Sequence, residues 1–161
     1  MIVTIWRHGE AANTVPDEDR RLTPKGQDEL ATAGSRFVAY LEENQLPAPQ
    51  EILHSPLVRT TETAAGLGGI LHVAPGVHRG LAPQASRVEE LCRWLNQREV
   101  EHLLLVGHQP FVSSLIWYLL DDQGLPALLP GGYATMELPC FERGAGVLLI
   151  GCPNPLQVMA C

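Results

Sequence analysis

The sequence predicts an α/β sandwich in which helices cover both faces of a largely parallel sheet. Short apolar runs of strand length alternate with longer segments whose apolar residues recur at helical spacing. The run Leu103 to Val106 is apolar at every position, which is typical of a strand buried on both faces. Near the end of the chain, the Glu142-Arg143-Gly144 turn separates two apolar runs and predicts an antiparallel end to the sheet. The predicted fold is therefore a three-layer sandwich around a mixed, mostly parallel sheet.

Length and composition fit one compact domain. The 161 residues, taken as a single domain over 1–161, lie within the usual domain size of about 100 to 200 residues. Hydrophobic residues make up 45% and charged residues 18%, which excludes a disordered tail or scaffold. The formal net charge is −7 and aromatic residues make up 6%, so the chain lacks the basic and stacking surfaces that nucleic-acid binding uses.

Membrane insertion, export and disulfides are not expected. The apolar stretch Phe111 to Leu120 is well short of the about 20 residues that cross a bilayer. No basic region precedes the apolar run at the N-terminus, so we expect no secretory signal. The four cysteines form no Cys-x-x-Cys pair, which favours reduced thiols. We therefore expect a cytoplasmic protein.

The first half of the chain predicts two strands and a helix. Ile2 to Trp6 is a β-branched and aromatic run that ends in a glycine turn, as a buried strand would. Thr23-Pro24 supplies an N-cap and a first-turn proline, and helical spacing of apolar residues extends the helix from Pro24 to Glu43. Glu51 to His54 is predicted as a short strand.

The middle of the chain predicts a second and a third helix around a turn-rich stretch. Ser55-Pro56 is interpreted as a cap with a first-turn proline, which places Arg59 in the first turn of the second helix. Residues 66–86 are rich in glycine and proline, and Ile70 to Val73 is predicted as a strand between turns. The third helix is predicted from an apolar stripe at Val88, Leu91, Cys92 and Leu95.

The last third of the chain completes the predicted sheet. Leu103 to Val106 is the central buried strand, and Pro110 to Leu120 follows it as a fourth helix. Tyr133 to Leu138 and Gly146 to Ile150 are predicted as the closing strands.

Charged and imidazole side chains follow three of the predicted strands. Arg7-His8-Gly9, Ser55 to Arg59 and Gly107-His108 each come directly after a strand, and ligands of open α/β sheets gather at strand carboxyl ends. These segments can converge into a pocket with two guanidinium groups, whose planar forks bind phosphate oxygens bidentately. Arg59 would also lie beside the positive end of the second helix. The ligand is expected to be an anion.

The set resembles the histidine phosphatase superfamily, also called phosphoglycerate mutase-like. Its Arg-His-Gly hallmark matches Arg7, His8 and Gly9, the arginine of its Ser-Pro-x-x-Arg segment matches Arg59, and its late histidine matches His108. Within the superfamily the chain resembles the SixA-type phosphohistidine phosphatases, which are small and lack a cap domain. Their Arg-x-Leu-Thr-x-x-Gly segment is present here as 20–26, and Gly-His-x-Pro as 107–110.

The resemblance implies a metal-independent phosphatase with no other cofactor. Its substrate would be a phosphohistidine on a protein, such as a phosphotransfer domain of a histidine-kinase relay or a phosphocarrier, and we expect a monomer without nucleic-acid or membrane partners. His8 would be the nucleophile, with its second ring nitrogen held as a donor to a backbone carbonyl. Arg7, Arg59 and His108 would surround the phosphoryl oxygens. Arg20 would contact the phosphate rim or an acidic partner surface, although a plain surface role is equally compatible.

A proton donor for the leaving group is missing at the expected place. Ester-cleaving relatives carry a carboxylate after a mid-chain strand, whereas residues 79–86 contain none, and Glu89 and Glu90 lie on a predicted solvated helix face. An alkoxide leaves poorly without an acid, but imidazole is a far weaker base, with a conjugate-acid pKa of about 6.5. The substrate is therefore expected to contain a P–N bond.

Two alternatives remain open from the sequence. One is a small-molecule phosphomonoesterase in which Glu10, Glu89 or Glu90 acts as the acid, and the other is a phosphoprotein-binding module without turnover. The other four histidines match no motif of the superfamily and are expected to be structural or exposed; they are His54, His72, His78 and His102.

Overall fold

The computed structural model describes residues 1–83 and 87–156 of the chain. One six-stranded sheet has the order β3-β2-β4-β1-β5-β6. The elements, in chain order, are β1 (Ile2–Arg7), α1 (Pro24–Glu43), β2 (Glu51–His54), α2 (Val58–Leu71), β3 (Pro75–Val77), α3 (Val88–Leu95), β4 (His102–Gly107), α4 (Phe111–Leu120), β5 (Tyr133–Glu137) and β6 (Val147–Cys152). Short 3-10 turns lie at Asp17–Asp19 and Arg79–Leu81.

The predicted three-layer architecture is confirmed. β1, β2, β3 and β4 pair in parallel, and β5 pairs antiparallel with both β1 and β6. Successive residues of β1 and β4 point to opposite faces of the sheet, so Val3 and Leu105 pack with α3 and α4, whereas Trp6 and Leu104 pack with α1 and α2. The uniform apolarity of β4 therefore reflects burial on both faces. No cap domain is present in the described part of the chain.

Most predicted elements are found within two residues of their expected bounds, but the second helix differs. Ser55 does not cap α2: the helix begins at Val58, and the Ser55 hydroxyl instead lies 2.6 Å from His108 Nε2. The strand predicted at Ile70 to Val73 is wrong, because α2 continues to Leu71 and the third strand is Pro75–Val77.

Close packing explains why the glycines of α2 did not end it. A Cβ on Gly66 would lie 2.9 Å from Leu30 of α1, and one on Gly68 would lie 2.5 Å from the backbone oxygen of Val73. These glycines let α2 approach α1 and let the chain return directly to the sheet. The turn interpretation of this stretch missed that tertiary role.

Parallel pairing brings the candidate site residues to one edge of the sheet. Arg7 at the end of β1 lies opposite Gly107 at the end of β4, and His54 at the end of β2 lies opposite Val106. The residues that follow these strands, His8, Ser55 and His108, are therefore neighbours although they are far apart in sequence. In the described residues, no helix is long and apolar enough to span a bilayer.

The loop after β1 is fixed against the start of α1. Thr23 is the N-cap of the helix: its hydroxyl accepts from Gly26 N at 2.9 Å and donates to a Glu10 carboxylate oxygen at 2.9 Å. The Thr23 backbone N–H donates to Glu10 O at 2.9 Å. A Cβ on Gly26 would overlap the backbone oxygen of Glu10, so only glycine permits this approach.

Gly26→Ala should therefore destabilise the fold by about 1–3 kcal/mol, because the added methyl group must push the Glu10 backbone away from α1. Gly69→Ala is the matched control, since this exposed helical glycine has open space at its Cβ position. Because alanine has a higher helix propensity than glycine, Gly69→Ala should stabilise the protein by about 0.5–1 kcal/mol. Urea unfolding of both variants tests the pair, and equal stability of the two would refute the close-approach argument.

Candidate active site

A pocket of about 310 Å³ lies at the carboxyl ends of β1, β2 and β4. It contains all five site residues that the sequence predicted, Arg7, His8, Arg20, Arg59 and His108. The other lining residues come from three loops and from the start of α2; they are Asp17, Glu18, Leu57, Ala82, Pro83 and Gln109.

His8 is held in one ring orientation by the backbone. Its Nδ1 lies 2.7 Å from the Gly9 carbonyl oxygen, which accepts a hydrogen bond and so requires a proton on Nδ1. In the neutral imidazole, Nε2 is then the unprotonated nitrogen. This contact confirms the hydrogen bond to a backbone carbonyl that the sequence analysis expected.

Burial keeps the His8 imidazole neutral. The residue is 8% exposed, and burial lowers the pKa of His8 to about 4. The Gly9 hydrogen bond opposes this shift, whereas the nearby charges of Arg59, Arg7 and Arg20 add to it. A pKa far below neutrality leaves a free Nε2 lone pair at pH 7.

His108 packs beside His8 and is anchored by hydroxyl groups. The two ring centroids are 5.1 Å apart, and His108 Nε2 lies 2.6 Å from Ser55 Oγ. Ser55 Oγ lies in turn 2.7 Å from Thr60 Oγ1 on α2. Burial lowers the pKa of His108 to about 3, and the positive charges of Arg59 and of His8, which is protonated at that low pH, add to the shift.

Arg7 and Arg59 bring two guanidinium groups into the pocket. Arg7 Nη1 donates to the Leu128 carbonyl oxygen at 2.8 Å, and burial lowers its pKa. The Arg59 side chain is 5% exposed, so its charge is largely removed from solvent. Its position as the second residue of α2 confirms the predicted first-turn placement and puts it beside the free N–H groups of that helix.

Asp17 pairs with two of the arginines. Its Oδ2 accepts from Arg59 Nη2 at 3.0 Å, its Oδ1 accepts from Arg20 Nη1 at 3.1 Å, and its backbone oxygen accepts from Arg59 Nη1 at 2.8 Å. Arg20 also donates from Nε to the Ala12 carbonyl oxygen at 2.7 Å, which holds it at the rim. Hydrogen bonds from Arg20 and Arg59 lower the pKa of Asp17, so its carboxylate is ionised at neutral pH.

Three buried nitrogens of the pocket are left without a hydrogen-bond partner among residues 1–83 and 87–156. They are Arg7 Nε, Arg59 Nε and His108 Nδ1. Buried polar atoms are nearly always paired, so a cluster of orphans calls for a missing partner. An oxyanion supplies the acceptors that such nitrogens need.

The three candidate acids of the sequence analysis lie outside this pocket. Glu10 accepts from Lys25 at 3.0 Å and from Thr23, and these hydrogen bonds lower its pKa. Glu89 and Glu90 are exposed in the first turn of α3, as the solvated-face interpretation expected. The carboxylates that do line the pocket are Asp17 and Glu18, which the sequence analysis did not single out.

The sequence contains a signal that could have predicted an ion pair between these carboxylates and Arg20. The acidic run Asp17-Glu18-Asp19 directly precedes Arg20 in the loop after His8, and unlike charges so close in sequence favour a local ion pair. The segment 79–86, in which no carboxylate was found, is described only up to 83, and residues 84–86 lie outside the described residues. Cys161, one of the four thiols predicted to be reduced, also lies outside them.

The remaining histidines have structural or exposed positions. His102 is buried, with Nε2 2.8 Å from Thr4 Oγ1 and Nδ1 2.6 Å from the Pro47 carbonyl oxygen. His54 is also buried, with Nδ1 2.7 Å from the Ser55 carbonyl oxygen. His78 packs against Trp94, and His72 is exposed. Through the described ranges, no three His, Cys, Asp or Glu side chains are grouped as metal ligands.

Comparison with known proteins identifies relatives of this site and fold. The sequence profile described as Histidine phosphatase superfamily (branch 1) matches residues 3–85. The structure of the protein histidine phosphatase SixA complexed with tungstate is 26% identical, with a TM-score of 0.80 over 98% of this chain and 100% of the other. No curated protein sequence matches the chain.

More distant structures share the fold. A protein from Agrobacterium tumefaciens that carries the name phosphohistidine phosphatase SixA is 21% identical, with a TM-score of 0.71 over 92% of this chain and 95% of the other. A mycobacterial glucosyl-3-phosphoglycerate phosphatase is 18% identical, with a TM-score of 0.70 over 94% of this chain and 98% of the other.

The His8 imidazole should titrate near pH 4, well below the about 6.5 of an unperturbed imidazole, because burial and three arginines disfavour its cation. Nitrogen NMR of the free protein, with the signal assigned by its loss in His8→Gln, measures this titration. At pH 7 the spectrum should show a neutral ring protonated at Nδ1. A midpoint at or above 6.5, or a proton on Nε2, would contradict the geometry described for His8.

Proposed function

Because the chain belongs to the histidine phosphatase superfamily (branch 1) and is a phosphatase hydrolase, we propose that it hydrolyses phosphohistidine on another protein through a phosphorylated His8. The observation that carries this proposal is that Arg7, Arg59 and His108, whose buried Nε and Nδ1 atoms have no partner among the described residues, line one pocket with the neutral His8 imidazole. A phosphoryl group is a tetrahedral oxyanion that needs donors on several sides. Tungstate, in the similar SixA structure, is an oxyanion of the same shape.

The first step is transfer of the phosphoryl group to His8. His8 Nε2 forms a bond to phosphorus as the P–N bond of the substrate breaks, and the electron pair of that bond goes to the departing imidazole. The departing ring takes a proton from solvent. Arg7 and Arg59 balance the charge on the phosphoryl oxygens, and their fixed positions supply this without rearrangement.

His108 would donate to the phosphoryl group from Nδ1. That donation requires the proton on Nδ1, so Nε2 must accept from the Ser55 hydroxyl at 2.6 Å. Ser55 is thereby a positioning residue, since it selects the tautomer of His108. The low pKa of His108 agrees with a neutral ring that donates from one nitrogen and accepts at the other.

The second step is hydrolysis of phosphorylated His8. A water molecule attacks phosphorus, the P–N bond to His8 Nε2 breaks, and inorganic phosphate leaves. One proton of the water stays on the released phosphate as a hydroxyl group and the other passes to solvent, while the electron pair of the P–N bond returns to His8 Nε2 and restores the neutral ring. The Gly9 hydrogen bond keeps the same nitrogen unprotonated for the next cycle.

The leaving group favours the P–N substrate over a phosphate ester. Glu10, Glu89 and Glu90 do not line the pocket, and Asp17 is ionised beside two arginines. An alkoxide would therefore find no proton donor at any of these four carboxylates, whereas imidazole leaves as a weak base. The shallow pocket edge, formed by Leu57, Ala82 and Pro83, is compatible with a histidine displayed on a phosphotransfer domain or a phosphocarrier.

A paired assay should show faster phosphate release from a phosphohistidine-bearing protein than from a small alkyl ester such as glycerol 3-phosphate, whose alkoxide leaves poorly without an acid. The release should persist in a metal chelator, because the arginines supply the positive charge. His8→Ala should lower turnover by at least about a thousandfold, since the nucleophile is lost. His72→Asn, which changes an exposed histidine outside the pocket, is the matched control and should retain activity. Faster ester cleavage would favour the phosphomonoesterase alternative.

Removal of the Arg59 guanidinium should lower kcat/KM by about 100- to 1000-fold, because its charge balances the phosphoryl oxygens. Arg59→Lys should recover only part of this loss, since an ammonium group lacks the planar fork. Arg143→Ala removes an exposed arginine that pairs with Asp121 away from the pocket, and it should leave kcat/KM unchanged. Full activity of Arg59→Ala would exclude its proposed role.

A further inference from the structure

We propose that Asp17 is an internal competitor for the phosphate site, whose carboxylate occupies Arg59 and thereby weakens the binding of small phosphate anions. This inference rests on the proposed function only in that the pocket binds a phosphoryl group. It adds a specificity-determining residue from the loop after the nucleophile.

The contacts of Asp17 reproduce those of an oxyanion. One carboxylate oxygen accepts from Arg59 Nη2 at 3.0 Å and the other from Arg20 Nη1 at 3.1 Å. The Asp17 backbone oxygen accepts a hydrogen bond from Arg59 Nη1, the second terminal nitrogen, at 2.8 Å. Both terminal nitrogens of the buried guanidinium are thus used by one loop residue, and Nε is left over.

The two partners differ sharply in how firmly they are held. The Arg59 side chain is 5% exposed and lies in α2, whereas the Asp17 side chain is 58% exposed. Asp17 lies on a three-residue 3-10 turn that contains no buried residue. A ligand that competes for Arg59 would therefore displace Asp17 rather than move the arginine.

Displacement costs a small anion more than it costs a protein substrate. A free phosphate ion must replace the carboxylate contacts at Arg59 with its own and has no further groups to bind the displaced loop. A protein that presents phosphohistidine also contacts the rim, where Asp17, Glu18 and Asp19 are exposed, and these contacts can offset the displacement. The competition therefore lowers the affinity for free phosphate in particular.

The test is the dissociation constant of inorganic phosphate, measured by isothermal titration calorimetry on the full chain. Asp17→Asn removes the charge and should tighten phosphate binding by about tenfold, which corresponds to about 1.4 kcal/mol. Asp17→Ala also removes the acceptor oxygens and should tighten binding at least as much. Asp19→Asn removes the same charge from the same exposed turn, and the structure gives its carboxylate no ion pair among the described residues. It should change binding less than twofold.

Unchanged or weaker phosphate binding in both Asp17 variants would overturn the proposal and would mean that Asp17 only orients Arg59. An equal gain in Asp19→Asn would also overturn it, because the effect would then be one of net charge. The readout is binding, so it is independent of turnover: tighter phosphate binding in Asp17→Asn without any P–N hydrolysis by the unmodified protein would refute the proposed function alone. The Asp17 backbone oxygen still accepts from Arg59 Nη1 in both Asp17 variants, and circular dichroism of each variant checks that it is folded before the titration.

Discussion

Parallel pairing of β1 with β4 is the constraint on which the site depends. The register places Arg7 opposite Gly107, so the next residue of each strand is a histidine and the two rings lie 5.1 Å apart. A shift of β1 by one residue would turn the large Trp6 side chain from the α1 and α2 layer into the α3 and α4 layer, where Val3 and Ile5 now pack. Core packing on both faces of the sheet thereby fixes the geometry of the site, without any requirement for contacts between the pocket side chains themselves.

Concentrating cationic groups at this edge has an electrostatic cost that the loop after β1 offsets. Arg59 is nearly buried, and a buried charge without a partner is strongly destabilising. Asp17 supplies the partner, while both histidines avoid the cost by staying neutral. The carboxylate lies on an exposed turn and not in the core. One exposed side chain therefore balances the charge of the buried Arg59 guanidinium.

Local sequence patterns predicted the fold because most elements carry strong end signals. The Thr23-Pro24 cap gave the start of α1 at Pro24, and the apolar run of β4 marked the central strand. Prediction failed at α2, where Gly66 and Gly68 permit close approach to Leu30 and to the Val73 backbone, and where the Ser55 hydroxyl lies 2.6 Å from His108 Nε2. Both roles depend on residues distant in sequence.

The candidate site was also predictable from the sequence where its residues follow the ends of strands. Residues next to strand ends, such as His8, could be placed from topology alone, and the structure brings them together. Asp17 could not be placed in this way, since it lies in the middle of an exposed loop and its contact with Arg59 spans 42 positions. The same arginines that this carboxylate neutralises hold its pKa below the usual range, so it has no proton to give at neutral pH. Charge balance in the pocket and the ionised state of Asp17 thus have one origin, which supports the proposal that the leaving group needs little protonation.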